Sequence, residues 1–96
     1  MIDIESIVKT TTELALGVAQ REKEIRKKKR MTQANLAKRA SVSLASLRRF
    51  EQTGLIAFDS LIRIAIVLGF EEDISQLFSR NVYTSIQEVI DEHKKK

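Results

Sequence analysis

The sequence predicts an all-α domain of five helices followed by a short C-terminal extension. Its 96 residues include no proline and only three glycines, so little in the chain breaks a helix. Apolar residues recur at i, i+3, i+4 and i+7 spacing. Serine or threonine residues suited to capping stand ahead of most of those stretches. A chain of this length makes one domain, burying roughly 60–65% of its extended surface in a modest core. The expected layout is an N-terminal segment at 1–12, the helical domain at 13–79 and the extension at 80–96.

Taken in order, Thr10-Thr11-Thr12-Glu13 reads as a capping box opening a first helix to about Lys29, with Leu14, Val18 and Ile25 as a thin apolar stripe. Its basic end suits the helix macrodipole. Thr32 caps a second helix, TQANLAKRA, which turns Leu36, Ala37 and Ala40 inward. Ser41-Val42-Ser43 is a turn ending in a new cap. The third helix, LASLRRFEQ, buries Leu47 and Phe50 and closes at Gly54. The fourth, DSLIRIAIVLG, has Leu61, Ile64, Ala65 and Leu68 inward and Gly69 at its end. With Ile62, Ile66 and Val67 it is apolar nearly all round, which predicts a central helix. Asp73 is expected to cap a short fifth helix, ISQLF. Ser85-x-x-Glu88 forms another capping box, ahead of IQEVIDEH and a Lys94–Lys96 tail.

Composition narrows the chemistry. There is no cysteine and a single histidine, His93, so thiolate or His-rich metal sites and Ser/His/Asp or Cys/His sets are excluded. No glycine-rich phosphate loop is present, and neither an enzyme nor a cofactor is expected. No apolar run approaches the ~20 residues of a membrane span, and MIDIESIVK lacks the basic start of a secretory signal. The expectation is a soluble cytoplasmic, nucleoid-associated protein. REKEIRKKKR has too few large apolar residues to act as a membrane-surface helix.

Charge is unevenly spread. Between Arg21 and Phe50 stand eleven basic residues, opposed only by Glu22 and Glu24, whereas the rest of the chain holds six basic and eleven acidic residues. A basic middle between acidic ends suits a polyanion on one face. A helix, a tight turn and a second helix within that block make a helix-turn-helix unit, whose second helix enters the major groove while the first braces it. The unit needs a small residue where the helices cross (Ala37), an apolar plug in the turn (Val42), and an outer face of small or polar residues. Ser43, Leu44, Ala45 and Arg49 are the candidates for base edges: Arg49 for guanine or a phosphate, Leu44 and Ala45 for a thymine methyl. Arg48 is assigned to phosphate or solvent. Lys27, Lys28 and Arg30 are assigned to backbone neutralisation.

The ordered elements IRKKKRMTQANLAKRA, SVSLASLRRFEQTG, FDSLIRIAIVLG and ISQLF resemble the Cro and phage-repressor (Xre) family between Glu24 and Phe78. The resemblance implies that Gln33 and Ser46 hold phosphates on either side of the groove, and that Arg26 and Glu51 lock the first helix to the end of the recognition helix. One departure is Ser41, where the family usually has glycine; serine adopts the left-handed conformation at some cost.

Members of that family usually dimerise on a two-fold double-stranded DNA operator, with half-sites about 34 Å apart. Phe70, Ile74, Phe78, Val82, Tyr83 and Ile86 exceed what the C-terminal third needs for its own core and are the expected homodimer contact. NVYTSIQEVIDEH is similar to HipB-like antitoxins, which accompany HipA-like kinase toxins. That likeness implies an autoregulating antitoxin with such a toxin as partner, its acidic residues (Glu71, Glu72, Asp73, Glu88, Asp91, Glu92) facing a basic surface. A phage-type repressor without a toxin remains an alternative. So does a protein-interaction module that has lost DNA binding.

Overall fold

The computed structural model describes residues 3–82 and is helical: α1 (Ile4–Lys28), α2 (Gln33–Ala40), α3 (Leu44–Thr53), α4 (Phe58–Leu68) and α5 (Glu71–Ser75). No described helix is long and apolar enough to cross a membrane. Tyr83, Ile86, the Ser85–Glu88 box and most of NVYTSIQEVIDEH lie outside the described residues.

The core forms where α1, α2, α3 and α4 converge. Leu36, Ala37 and Ala40 of α2 meet Leu47 and Phe50 of α3, Ile64 and Leu68 of α4, and Ala19 of α1. The caps expected at Thr32, Gly54 and Gly69 are in place. Thr32 Oγ1 accepts from the Asn35 amide at 3.0 Å, and both glycines take positive φ. Gly54 has a second job: a Cβ there would lie 2.7 Å from the Ala15 backbone carbon and Cβ. Any side chain would pry α1 from α3, so this glycine sets how closely the two helices dock.

Four expectations are corrected. The first helix starts not at Thr10 but at Asp3, whose carboxylate accepts from the Ser6 amide at 2.7 Å. Nothing in IESIVK breaks a helix, so the amides that Thr10 would cap are already spent inside it. The Thr11 and Thr12 hydroxyls donate back to the Ile7 and Val8 carbonyls. The boundary drawn at 12/13 therefore falls within α1.

The buried side of α1 is Ala19, Glu22 and Arg26, while Leu14 and Val18 are exposed. Ala19 lets α3 come close, and the larger residues are left outside. α4 is not central either, since Ile66 is 53% exposed and Ile62 and Val67 are only half-buried. Finally, α5 runs Glu71–Ser75, with Asp73 inside its first turn rather than capping it. Three acids in that turn answer the positive helix end without a side-chain cap.

Candidate nucleic-acid interface

The turn between α2 and α3 is built as the sequence requires. Ser41 takes the left-handed conformation (φ 56°, ψ 41°), and the Val42 amide donates to the Ala37 carbonyl at 3.0 Å. This closes α2 with a Schellman-type bond. Val42 then packs half-buried against the core. Ser43 is extended and caps α3, its Oγ accepting from the Ser46 amide at 3.0 Å. Its hydroxyl proton goes to Ser46 Oγ at 2.7 Å, which leaves the Ser46 proton free for an external acceptor.

Helical spacing sorts α3 into two sides. Leu47 and Phe50 are buried and Leu44 is half-buried against the core, whereas Ala45, Ser46, Arg48, Arg49 and Gln52 are exposed. Of the four residues expected at base edges, Ala45 and Arg49 stand on the outer face. Ser43 serves as cap, and Leu44 leans inward. Gln52 was not anticipated. It lies on the face of Ala45, Arg48 and Arg49 at i+7, i+4 and i+3, a spacing legible in the sequence, and a glutamine amide matches the adenine N6/N7 edge.

Two side-chain devices hold α2 and α3 in place. Arg26 donates from Nε to Glu51 Oε2 at 2.9 Å and from a terminal nitrogen to Glu51 Oε1 at 3.0 Å. Its other terminal nitrogen donates to the Met31 carbonyl at 2.9 Å. Glu51 also accepts from Gln33 Nε2 at 3.0 Å, so one carboxylate joins α1, α2 and α3. The Gln33 side chain is thus committed within the protein. The orphan amides of the α2 N-terminus, ahead of the capped Asn35 amide, remain suited to a phosphate. The second device, also unanticipated, is Arg63. Its Nε donates to the Ala40 carbonyl at 3.2 Å, capping the last turn of α2 from α4.

Glu22 lies beside the Arg26–Glu51 pair and is not the acid that its place in a basic block suggests. It is buried, and no hydrogen-bond donor reaches either carboxyl oxygen. Burial first, then proton sharing with Glu51 and the Glu51 charge, push its pKa up to about 8 against the pull of Arg26 and Lys23. As the neutral acid it has one proton to share with Glu51, and its second carboxyl oxygen is left without a donor among the described residues. Burial pushes Glu51 up as well, but hydrogen bonds from Arg26, Glu22 and Gln33 outweigh it and hold Glu51 below the ordinary glutamate value.

The signs follow. Unfolded Glu22 ionises near 4.5 and folded Glu22 near 8, so between those values the folded chain holds the extra proton and stability falls as pH rises. Glu51 works oppositely, its contribution fading as pH drops through the acid range. Glu22→Gln keeps a donor toward Glu51 with no proton to lose. At pH 8.5 the variant is expected to exceed the parent in stability by ~2 kcal/mol, less than the whole shift because partial solvation absorbs some of it. Urea titrations at pH 5 and 8.5 check this, and the same pH slope in both proteins would contradict it.

The outer cations of the block have no ion-pair partner among the described residues. Among the described residues the ion pairs are Arg26–Glu51 and Arg63–Asp59, so Lys27, Lys28, Arg30, Lys38, Arg39, Arg48 and Arg49 have no carboxylate partner. Arg30 is held in a left-handed turn (φ 58°) after α1. With Lys29, Thr32, Asn35 and Arg39 it lines a polar hollow of about 440 Å³ beside the start of α2. Of the expected dimer residues, Ile74 is half-buried, and Phe70, Phe78 and Val82 are exposed at 37, 96 and 70%.

A protein-family model described as helix-turn-helix matches residues 23–74, which takes in the end of α1, all of α2 to α4 and most of α5. No curated protein matches the chain.

Proposed function

The chain belongs to the helix-turn-helix family of DNA-binding transcription regulators, of the Cro and phage-repressor type, and from that premise we propose that it is a sequence-specific repressor. One observation carries the reading: α3 presents Ala45, Arg48, Arg49 and Gln52 to solvent on a single face, while the buried Arg26–Glu51 ion pair locks its other side. A small residue between two arginines and a glutamine lets backbone and side chains approach base edges, with Arg49 directed to guanine and Ala45 to a thymine methyl. Ser46, Arg48, Lys27, Lys28, Arg30 and the α2 N-terminus grip phosphates. They set register without reading sequence.

Titrating operator and random duplexes across salt tests the proposal. The four cations assigned to phosphates, Lys27, Lys28, Arg30 and Arg48, give a log K versus log salt slope of about −4 for each copy bound. Specific binding should exceed random binding by a factor on the order of a thousand or more. A flat salt plot removes the electrostatic grip, and equal affinities remove the sequence reading.

A single recognition helix makes few base contacts, so the repressor acts as a homodimer on a two-fold site. The likeness of NVYTSIQEVIDEH to HipB-like antitoxins supports a further step, in which the dimer autoregulates an operon encoding a HipA-like kinase toxin. The exposed Glu71 and Glu72 of α5 offer that partner an acidic surface. Co-expression with the kinase-like product of an adjacent reading frame should yield a co-purifying complex. A frame of that kind that leaves the repressor unbound argues for a phage-type repressor instead.

A further inference from the structure

The homodimer reading leaves open where two copies meet, and the inference here rests on that reading. The N-terminal half of α1 carries an apolar row that no other helix among the described residues covers. Ile4, Ile7, Val8, Leu14 and Val18 are 79, 50, 59, 66 and 38% exposed and fall on one helical face. Single exposed aliphatics are ordinary, but five in one row mark a contact surface. The row does not end where the core begins. Through Val18 it runs into a groove of about 260 Å³ between α1, α4 and α5, walled by Ile25, Leu61, Phe70 and Ile74, with exposed Arg21 and Asp73 also lining it.

We propose that this face is covered by the same face of a second copy, with the two α1 helices antiparallel about a two-fold axis near Thr11. That register sets Ile4 against Val18 and Val8 against Leu14, so the projecting end of each helix reaches the groove of the other molecule. Charge selects the antiparallel sense. Asp3 and Arg21 are about five helical turns apart and therefore border the row on the same edge. Antiparallel pairing brings Asp3 of each copy to Arg21 of the other, whereas parallel pairing would set like charges together. The helix dipoles favour the same sense. At the axis, the Thr11 hydroxyl already donates to the Ile7 carbonyl at 2.7 Å, so burying Thr11 strands no donor and offers its methyl.

The chain has no cysteine, so one introduced thiol reports this contact cleanly. Under mild oxidation without DNA, full-length Thr11→Cys should cross-link to a covalent dimer at micromolar concentration. Lys9→Cys, on the opposite face, should remain monomeric on denaturing gels. Ile7→Glu with Leu14→Glu should halve the mass by light scattering, from twice 11.0 kDa to once, with the helical melt preserved because both residues are exposed in the single chain. The proposal is overturned if Lys9→Cys links as readily as Thr11→Cys, if the double variant stays dimeric, or if the parent runs as a monomer. With no DNA present, these results do not depend on whether an operator is recognised.

Discussion

Arg26→Ala should lower the free energy of unfolding by about 3–5 kcal/mol, the cost of breaking a buried pair from one side. The damage extends beyond one lost ion pair. Glu51, whose side chain is 2% exposed, would keep its charge with no cation beside it. Glu22 would face that charge with the opposing pull of Arg26 gone, and the Met31 carbonyl would lose its donor. A small domain has only about 5–15 kcal/mol to lose, so a sizeable unfolded fraction is expected at 37 °C. Urea unfolding at unchanged m-value is the measurement. Arg26→Lys should fall in between, keeping a charge without the planar fork that reaches both carboxylate oxygens. Replacing Arg26 and Glu51 together by apolar residues of similar volume should recover much of the loss, since it removes the stranded charge as well as the bond. A melt for Arg26→Ala matching the parent would mean that the pair is incidental to the fold.

The same pair shows how far the sequence was legible. Arg26 and Glu51 are 25 residues apart on different helices, and no periodicity links them; only the resemblance to a known family suggested their meeting. Features governed by local chemistry were readable: the caps at Thr32 and Ser43, the left-handed ends at Gly54 and Gly69, and the inward Leu36, Leu47 and Phe50, whereas the left-handed Ser41 followed from the family resemblance. Features governed by packing across the chain were not. Thr10-Thr11-Thr12-Glu13 has the letters of a capping box, but its meaning depends on whether a helix already runs upstream. Glu22 looks like one more surface charge until α3 covers it and Glu51 is placed beside it. Arg63 reads as the polar side of α4, and only the docking of α2 makes it a cap. In the candidate interface, the positions of Arg48 and Arg49 follow from helical period alone, whereas the division of labour between Ser43 and Ser46 depends on where α3 begins.

Reversing both arginines of the outer face, Arg48→Glu with Arg49→Glu, should weaken operator binding by a factor on the order of a thousand or more. Two favourable contacts of ~1–3 kcal/mol each are lost, and two anions then face phosphates. Neither side chain is buried or paired with a carboxylate among the described residues, so the melting temperature should hold. The single substitutions separate the two roles. Arg49→Ala should relax preference at one base pair by about 1–3 kcal/mol and leave the salt slope nearly unchanged. Arg48→Ala should weaken all sequences alike and reduce the slope by about one. Dimer cross-linking and capture of a kinase partner should survive the double reversal, because neither assigned surface includes α3. An interaction module without DNA binding predicts the opposite division: no measurable operator affinity to lose, and a partner contact that fails when the cationic face is inverted. Gel-shift and co-purification of the same variant decide between them, since an outer face free of bulky apolar residues has to be explained either by the approach of a duplex or by nothing at all.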